Sequence, residues 1–92
     1  MIQSFADEET RAVFLAGSSR RWARIARVAM RRLQAIDYAS VVEDLREPPG
    51  NRLEKLKGDR EGWWSIRIND QYRICFRWDG ADAFDVEILD YH

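Results

Sequence analysis

The chain has 92 residues, 46% apolar and 34% charged, with four Trp, four Phe and a formal net charge of −1. That is enough apolar material for one small core, so a single domain spanning residues 1–92 is expected, with no room for a second domain or a cofactor-binding fold. A charge this close to zero excludes a protein that grips nucleic acid through bulk positive charge. The opening MIQSFADEET has no apolar stretch behind a basic one, so no leader is expected there. Asp7 is placed to cap a first helix running through Leu15, with acids in its first turn and Gly17 at its stop. A second helix should open at Ser18 or Ser19, since Trp22, Ile25, Ala29, Leu33 and Ile36 fall at helical spacing. On another face of that helix Arg24, Arg27 and Arg31 form a basic stripe. Ser40-Val-Val-Glu43 fits a capping box and predicts a short third helical turn, which Glu47-Pro48-Pro49-Gly50-Asn51 then breaks.

After Asn51 the hydrophobic period changes to two. RLEKL, residues 52–56, reads as a strand before a turn at Gly58-Asp59. Trp64, Ile66 and Ile68 alternate with Trp63, Ser65 and Arg67; beyond Asn69-Asp70-Gln71, Tyr72, Ile74, Phe76 and Trp78 alternate with Arg73, Cys75 and Arg77. A last strand follows the Asp79-Gly80 turn, with Phe84, Val86 and Ile88 inward and Asp85, Glu87 and Leu89 outward. The expected fold is α+β in two layers: N-terminal helices packed on one face of a small antiparallel β-sheet. The lone Cys75 cannot pair within the chain and has no metal-ligand spacing around it. It reads as a small buried hydrophobe in a reducing compartment, the cytoplasm. No run approaches the roughly 20 apolar residues of a membrane span, so no membrane partner is expected.

Charge is segregated along the chain. From Arg20 to Arg32 there are six arginines (Arg20, Arg21, Arg24, Arg27, Arg31, Arg32) and no acid; from Asp79 to Asp90 there are five acids and no Lys or Arg. A solvated helix face and a solvated strand face would give the same pattern. The outer face of the sheet is more telling, because period two gathers Trp63, Arg67, Arg73 and Arg77 there. A chain leaving the last strand would bring Tyr91 and His92 toward it, with Lys55 and Lys57 at its margin. Rings beside several guanidinium groups suit RNA, whose bases stack while its phosphates take bidentate hydrogen bonds.

KLKGDREGWWSIRINDQYRICFRW, the upstream PPGNRLE and the closing VEILDYH resemble the HigB toxins of the RelE superfamily, including GraT-like members with a similar RRW in the second helix. The likeness runs from MIQSF to DYH. It implies a compact α+β RelE-like toxin domain and ribosome-dependent cleavage of mRNA in the decoding A site. It also implies inhibition by a HigA-like helix-turn-helix antitoxin, with operator DNA met only through that antitoxin. Carried over by position, the resemblance implies a catalytic set of Lys57, Arg73, Asp90, Tyr91 and His92, and no cofactor. Some members carry a histidine where this chain has Glu54, so a two-histidine acid/base pair is absent here.

The chemistry asks for a base to take the proton of a ribose 2′-hydroxyl, an acid for the departing 5′-oxygen, and cations for charge on phosphorus. His92, the one histidine, has an unperturbed pKa near about 6.5 and suits proton transfer. Arg73 and Lys57 suit the phosphorane, with Arg67 as a further cation. Asp90 either orients His92 or accepts a proton, Tyr91 stacks on or positions a base, and Glu54 is a further candidate base. Each also has a bland alternative: a salt-bridge partner, a ring packed on the sheet edge, a solvated edge charge. Arg20, Arg21, Arg24, Arg27, Arg31 and Lys55 are the candidate contacts to RNA and ribosome. The rival reading is a non-catalytic ParE-like inhibitor of DNA gyrase, against which the terminal DYH argues, since such a binder needs no proton carrier.

Overall fold

In the computed structural model, which describes residues 1–90, the first helix, α1, spans Glu8–Ala16 and is built as its sequence dictates. The Asp7 carboxylate accepts from the Thr10 amide at 2.7 Å, Glu8 and Glu9 face the positive end of the helix dipole, and Gly17 stops the helix at a left-handed φ of 83°. The second helix, α2, starts later than expected, at Ala26, and runs to Tyr38. Residues 20–25 form turns instead: the Ser19 hydroxyl accepts from the Trp22 amide and the Trp22 carbonyl from Ile25. Electrostatics explains the delay. Arg20, Arg21, Arg24 and Arg27 would stack like charges three and four residues apart at the helix end where cations are least favourable. So Arg24 stands before α2, and only Arg27 and Arg31 of the expected stripe lie on the helix. Trp22 is anchored nonetheless, 6% exposed, with its ring edge-on to Tyr72 at 5.3 Å.

The turn after α2 is a 3-10 helix over Val42–Arg46, capped differently from the predicted Ser40/Glu43 box. The Asp44 carboxylate accepts from both the Ser40 and Val41 amides, and Glu43 instead pairs with Arg46 at 3.7 Å. The helix starts one residue later than expected, with Val41 at the N-cap, so the residue three positions on is Asp44 and not Glu43. Buried Asn51 then ties the proline-rich break down by donating to the Leu45 and Glu47 carbonyls.

The sheet is an antiparallel meander in the order β1 (Glu54–Lys55), β2 (Trp63–Arg67), β3 (Tyr72–Asp79) and β4 (Asp82–Asp90). β1 is shorter than the predicted 52–56. The N-terminal segment runs parallel to β4, bridging Ile2 to Ala83 and Phe5 to Val86, and so covers that edge. Helices and sheet share one core in which Leu33, Ile36, Ile66, Ile74, Phe76 and Val86 are fully buried. The Thr10 hydroxyl accepts from the Ile88 amide, fastening α1 to β4. Cys75 is buried, as expected. Among the described residues no helix is long and apolar enough to cross a membrane.

One strand departs from its predicted alternation. Cys75 pairs with Glu87, but Arg77 pairs with Phe84, so β4 carries an extra residue there. This β-bulge centres on Asp85, whose φ is 54°. Because strand side chains alternate, one inserted residue swaps faces: Ala83 is fully buried in the core, and Phe84, expected inward, is turned to the outer face.

Candidate functional site

Residues directly paired in an antiparallel sheet share a face, so the outer face can be read as three rows. Trp63, Arg77 and Phe84 make the first; Glu54, Ser65, Cys75 and Glu87 the second; Arg67, Arg73 and Leu89 the third. Lys55 is not at the margin of this face. It pairs with Trp64 and lays its ammonium 5.9 Å from that ring, on the helix side.

The middle of the outer face is far from solvated. Ser65 and Cys75 are buried and Arg73 is only 7% exposed. A cation withdrawn from water is costly unless its donors are satisfied, and these are. The Arg73 Nε donates to the Ser65 hydroxyl at 2.9 Å, and Nη2 donates to the carbonyls of Arg52 at 2.6 Å and Ser65 at 3.3 Å. Nη1 lies 3.8 Å from the Glu54 carboxylate. The guanidinium is therefore held in one orientation. Arg52 itself has a φ of 45°, sparsely populated for a side-chain-bearing residue, in the turn that brings its carbonyl to Arg73.

Arg67 stands directly opposite Arg73 and is paired with the Asp70 carboxylate. Like charges face to face in a sheet are destabilising, and a site that must hold an anion is a reason to keep them. The Arg32 Nε of α2 donates to the Arg67 carbonyl at 3.0 Å. Burial lowers the Arg32 guanidinium below its ordinary pKa, and the neighbouring charges of Arg31 and Arg67 add to the effect. Arg52, Glu54, Arg67, Asn69, Asp70 and Arg73 line a cavity of about 220 Å³. Three guanidinium groups with two carboxylates, Arg67 paired with Asp70 and Arg73 beside Glu54, can hold a phosphate-like anion beside a group able to take a proton.

Among the described residues, the other expected ones are not part of this lining. Asp90 ends β4 opposite Tyr72, exposed, its carboxylate accepting from the Gln71 side-chain Nε2 at 3.2 Å. Lys57 is exposed on the loop after β1, outside the cavity lining. Tyr91 and His92 lie outside the described residues. Arg20, Arg21, Arg24, Arg27 and Arg31 are all exposed, and the Arg21 guanidinium covers the Trp22 ring at 4.8 Å. A second cavity of about 260 Å³ is lined by Arg21, Arg24, Trp22 and Tyr72 with Asn69 and Gln71, so Asn69 borders both. Sequence reasoning passed over Arg52, Ser65 and Asn69. Alternation puts Ser65 on the right face, whereas nothing local distinguishes Arg52 or Asn69 from ordinary turn residues. Among the described residues no cluster of three or more His, Cys, Asp or Glu is arranged to hold a metal ion.

Comparison with known proteins bears on the family and the fold. Residues 3–92 match the model of the HigB-like toxin family, described as the RelE-like toxin HigB of type II toxin-antitoxin systems. The chain is 48% identical over 62 residues to Toxin HigB-1 of Vibrio cholerae serotype O1, covering 67% of this chain and 64% of that protein. It is 44% identical over 61 residues to Endoribonuclease HigB of Proteus vulgaris, covering 66% and 65% respectively. The matched segments thus span a little under two thirds of these relatives' own lengths. Among solved structures, the YoeB–YefM complex from Staphylococcus aureus contains a chain of similar fold, with a TM-score of 0.58 at 17% identity and coverage of 100% and 98%. A YoeB/ParE toxin from Agrobacterium tumefaciens gives 0.52 at 17% identity, covering 99% and 96%. The chain belongs to the HigB-like family of RelE-like toxins of type II toxin-antitoxin systems.

Proposed function

We propose that this protein is a ribosome-dependent endoribonuclease that cuts mRNA in the A site, and that a HigA-like helix-turn-helix antitoxin restrains it. The observation that carries the reading is the buried, fully directed Arg73 guanidinium facing Arg67 across a cavity that Glu54 also lines. In the reaction the ribose 2′-hydroxyl gives up its proton and attacks the adjacent phosphorus. The bond from phosphorus to the 5′-oxygen breaks, that oxygen takes a proton, and a 2′,3′-cyclic phosphate and a 5′-hydroxyl remain. Arg73, with Arg67 and Lys57, stabilises the charge on phosphorus, and a donor that is already fixed does so without reorganising. His92 carries the proton on one side of the reaction, and a carboxylate, Asp90 or Glu54, serves on the other; Tyr91 stacks on or positions a base.

Near-zero net charge fits an enzyme that borrows its substrate from the ribosome, which supplies the orientation that weak affinity for free RNA would not. Arg20, Arg21, Arg24, Arg27 and Arg31, with Lys55, are the proposed contacts to ribosome and RNA. The partner antitoxin carries any operator-DNA contact, and the setting is cytoplasmic. A purified translation system with a defined mRNA tests the nuclease reading. Cuts positioned by codon, absent when ribosomes are left out, are expected. Intact mRNA together with blocked supercoiling would replace this reading with gyrase inhibition.

A further inference from the structure

The Trp63, Arg77, Phe84 row lies at the other end of the outer face from Arg67 and Arg73, and the reaction has no use for it. Arg77 lies four residue steps along β3 from Arg73, about 13 Å, which is too far for the nucleotide being cut. Yet the chain invests in this corner. Phe84 reaches the outer face only because of the Asp85 bulge, and that bulge holds a residue other than glycine at a φ of 54°. Bulges re-aim side chains beside functional sites, and left-handed strain concentrates there. The Asp85 carboxylate sits 3.7 Å from the Arg77 Nε, and the Arg77 guanidinium lies over the Phe84 ring, 4.6 Å from its centroid. One bulge thus turns a ring outward and lays a planar cation across it, beside the indole of Trp63.

We propose that this row is a stacking subsite for an unpaired nucleobase of the mRNA, one that flanks the scissile position without being part of it. The base lies against the Arg77 guanidinium plane or takes its place on Phe84, and Trp63 closes the row. A guanidinium plane and an aromatic ring both stack on any base, so the subsite reads the presence of a base and not its identity. The ligand class is single-stranded RNA, and Asp85 is a positioning residue that holds Arg77 in its plane. The inference rests on the nuclease reading and adds a second point of contact on the same strand.

The test uses the full chain, programmed ribosomes and a set of mRNAs, each with one abasic nucleotide within three positions of the cut on either side. Removing the base at one flanking position should slow cleavage by the unaltered protein about tenfold or more under subsaturating conditions. Phe84→Ala and Arg77→Ala should be slowed to a similar level on intact mRNA and be insensitive to the abasic site at that position. Phe84→Tyr should behave as the parent, and thermal melting reports whether each variant is folded. Cleavage insensitive to every flanking abasic site would overturn the subsite while leaving the nuclease reading in place. Variants that remain as sensitive as the parent would do the same. No codon-positioned cleavage by the parent would overturn both.

Discussion

At the scale of single residues, Arg73 is the most constrained side chain of the site, and its substitutions should separate charge from geometry. Arg73→Lys keeps the charge but cannot span the Ser65 hydroxyl and the Arg52 carbonyl together. It should lower cleavage about a hundredfold or more while the protein stays folded, read as single-turnover rate beside a melting curve. Arg73→Ala should also melt earlier, because it leaves the Ser65 hydroxyl and the Arg52 carbonyl without their donor in a buried place. Glu54 discriminates between the two carboxylates. It is half exposed and already faces a guanidinium, so Glu54→Gln should cost less than about tenfold in rate if Asp90 takes the proton. His92→Ala should cost at least about a hundredfold with the melting temperature unchanged; equal rates would remove His92 from the mechanism.

At the scale of elements, the bulge in β4 and the arginine-rich turn before α2 each mark a place where the chain departs from the simplest pattern. At Asp85 a β-branched residue cannot take up the left-handed conformation cheaply. Asp85→Val should therefore destabilise by about 1–3 kcal/mol in denaturant titration, whereas Asp85→Asn should be close to neutral, since asparagine tolerates that region. An Asp85→Val protein as stable as the parent would mean the bulge carries no strain. The cap of α1 behaves conventionally: Asp7→Ala removes the acceptor of the Thr10 amide and should cost about 1 kcal/mol. In the turn before α2, Arg20, Arg21 and Arg24 lie in a segment tied down by buried Trp22, whose ring Arg21 covers, and by the Arg21 amide donating to the Glu9 carboxylate, not by helical geometry. A helix designed through Ser19 would move them, so Ala substitutions that favour helix there should disturb the proposed RNA contacts more than stability.

At the scale of the whole molecule, the exposed arginines of residues 20–31 and the sheet cavities meet at Asn69, so the basic segment and the proposed reaction centre belong to one surface. Reversing charge at Arg24, Arg27 and Arg31 should weaken ribosome association, measured by co-sedimentation. The loss should be largest at low salt and shrink as salt rises, with almost no change in melting temperature, because exposed charges are screened and contribute little to stability. Binding unaffected by the reversal would place the ribosome contact elsewhere.

The sequence by itself determined the local features: the Asp7 cap, the Gly17 stop, the change from helical period to period two after Asn51, and hence helices on one face of an antiparallel meander. Each depends on residues within a turn or two of one another, so propensity and period suffice. The family resemblance was legible for a related reason, since its motifs are contiguous runs. The tertiary structure alone decided what depends on register and on distant backbone. Lys55 sits on the helix side because it pairs with Trp64, and Phe84 faces outward because β4 has one residue more than β3 requires. The Arg73 guanidinium is fixed by a carbonyl 21 residues away at Arg52, in a turn whose own sequence says nothing of its use. Alternation gives a strand two faces, but only pairing between strands decides which residues share one and how buried they are.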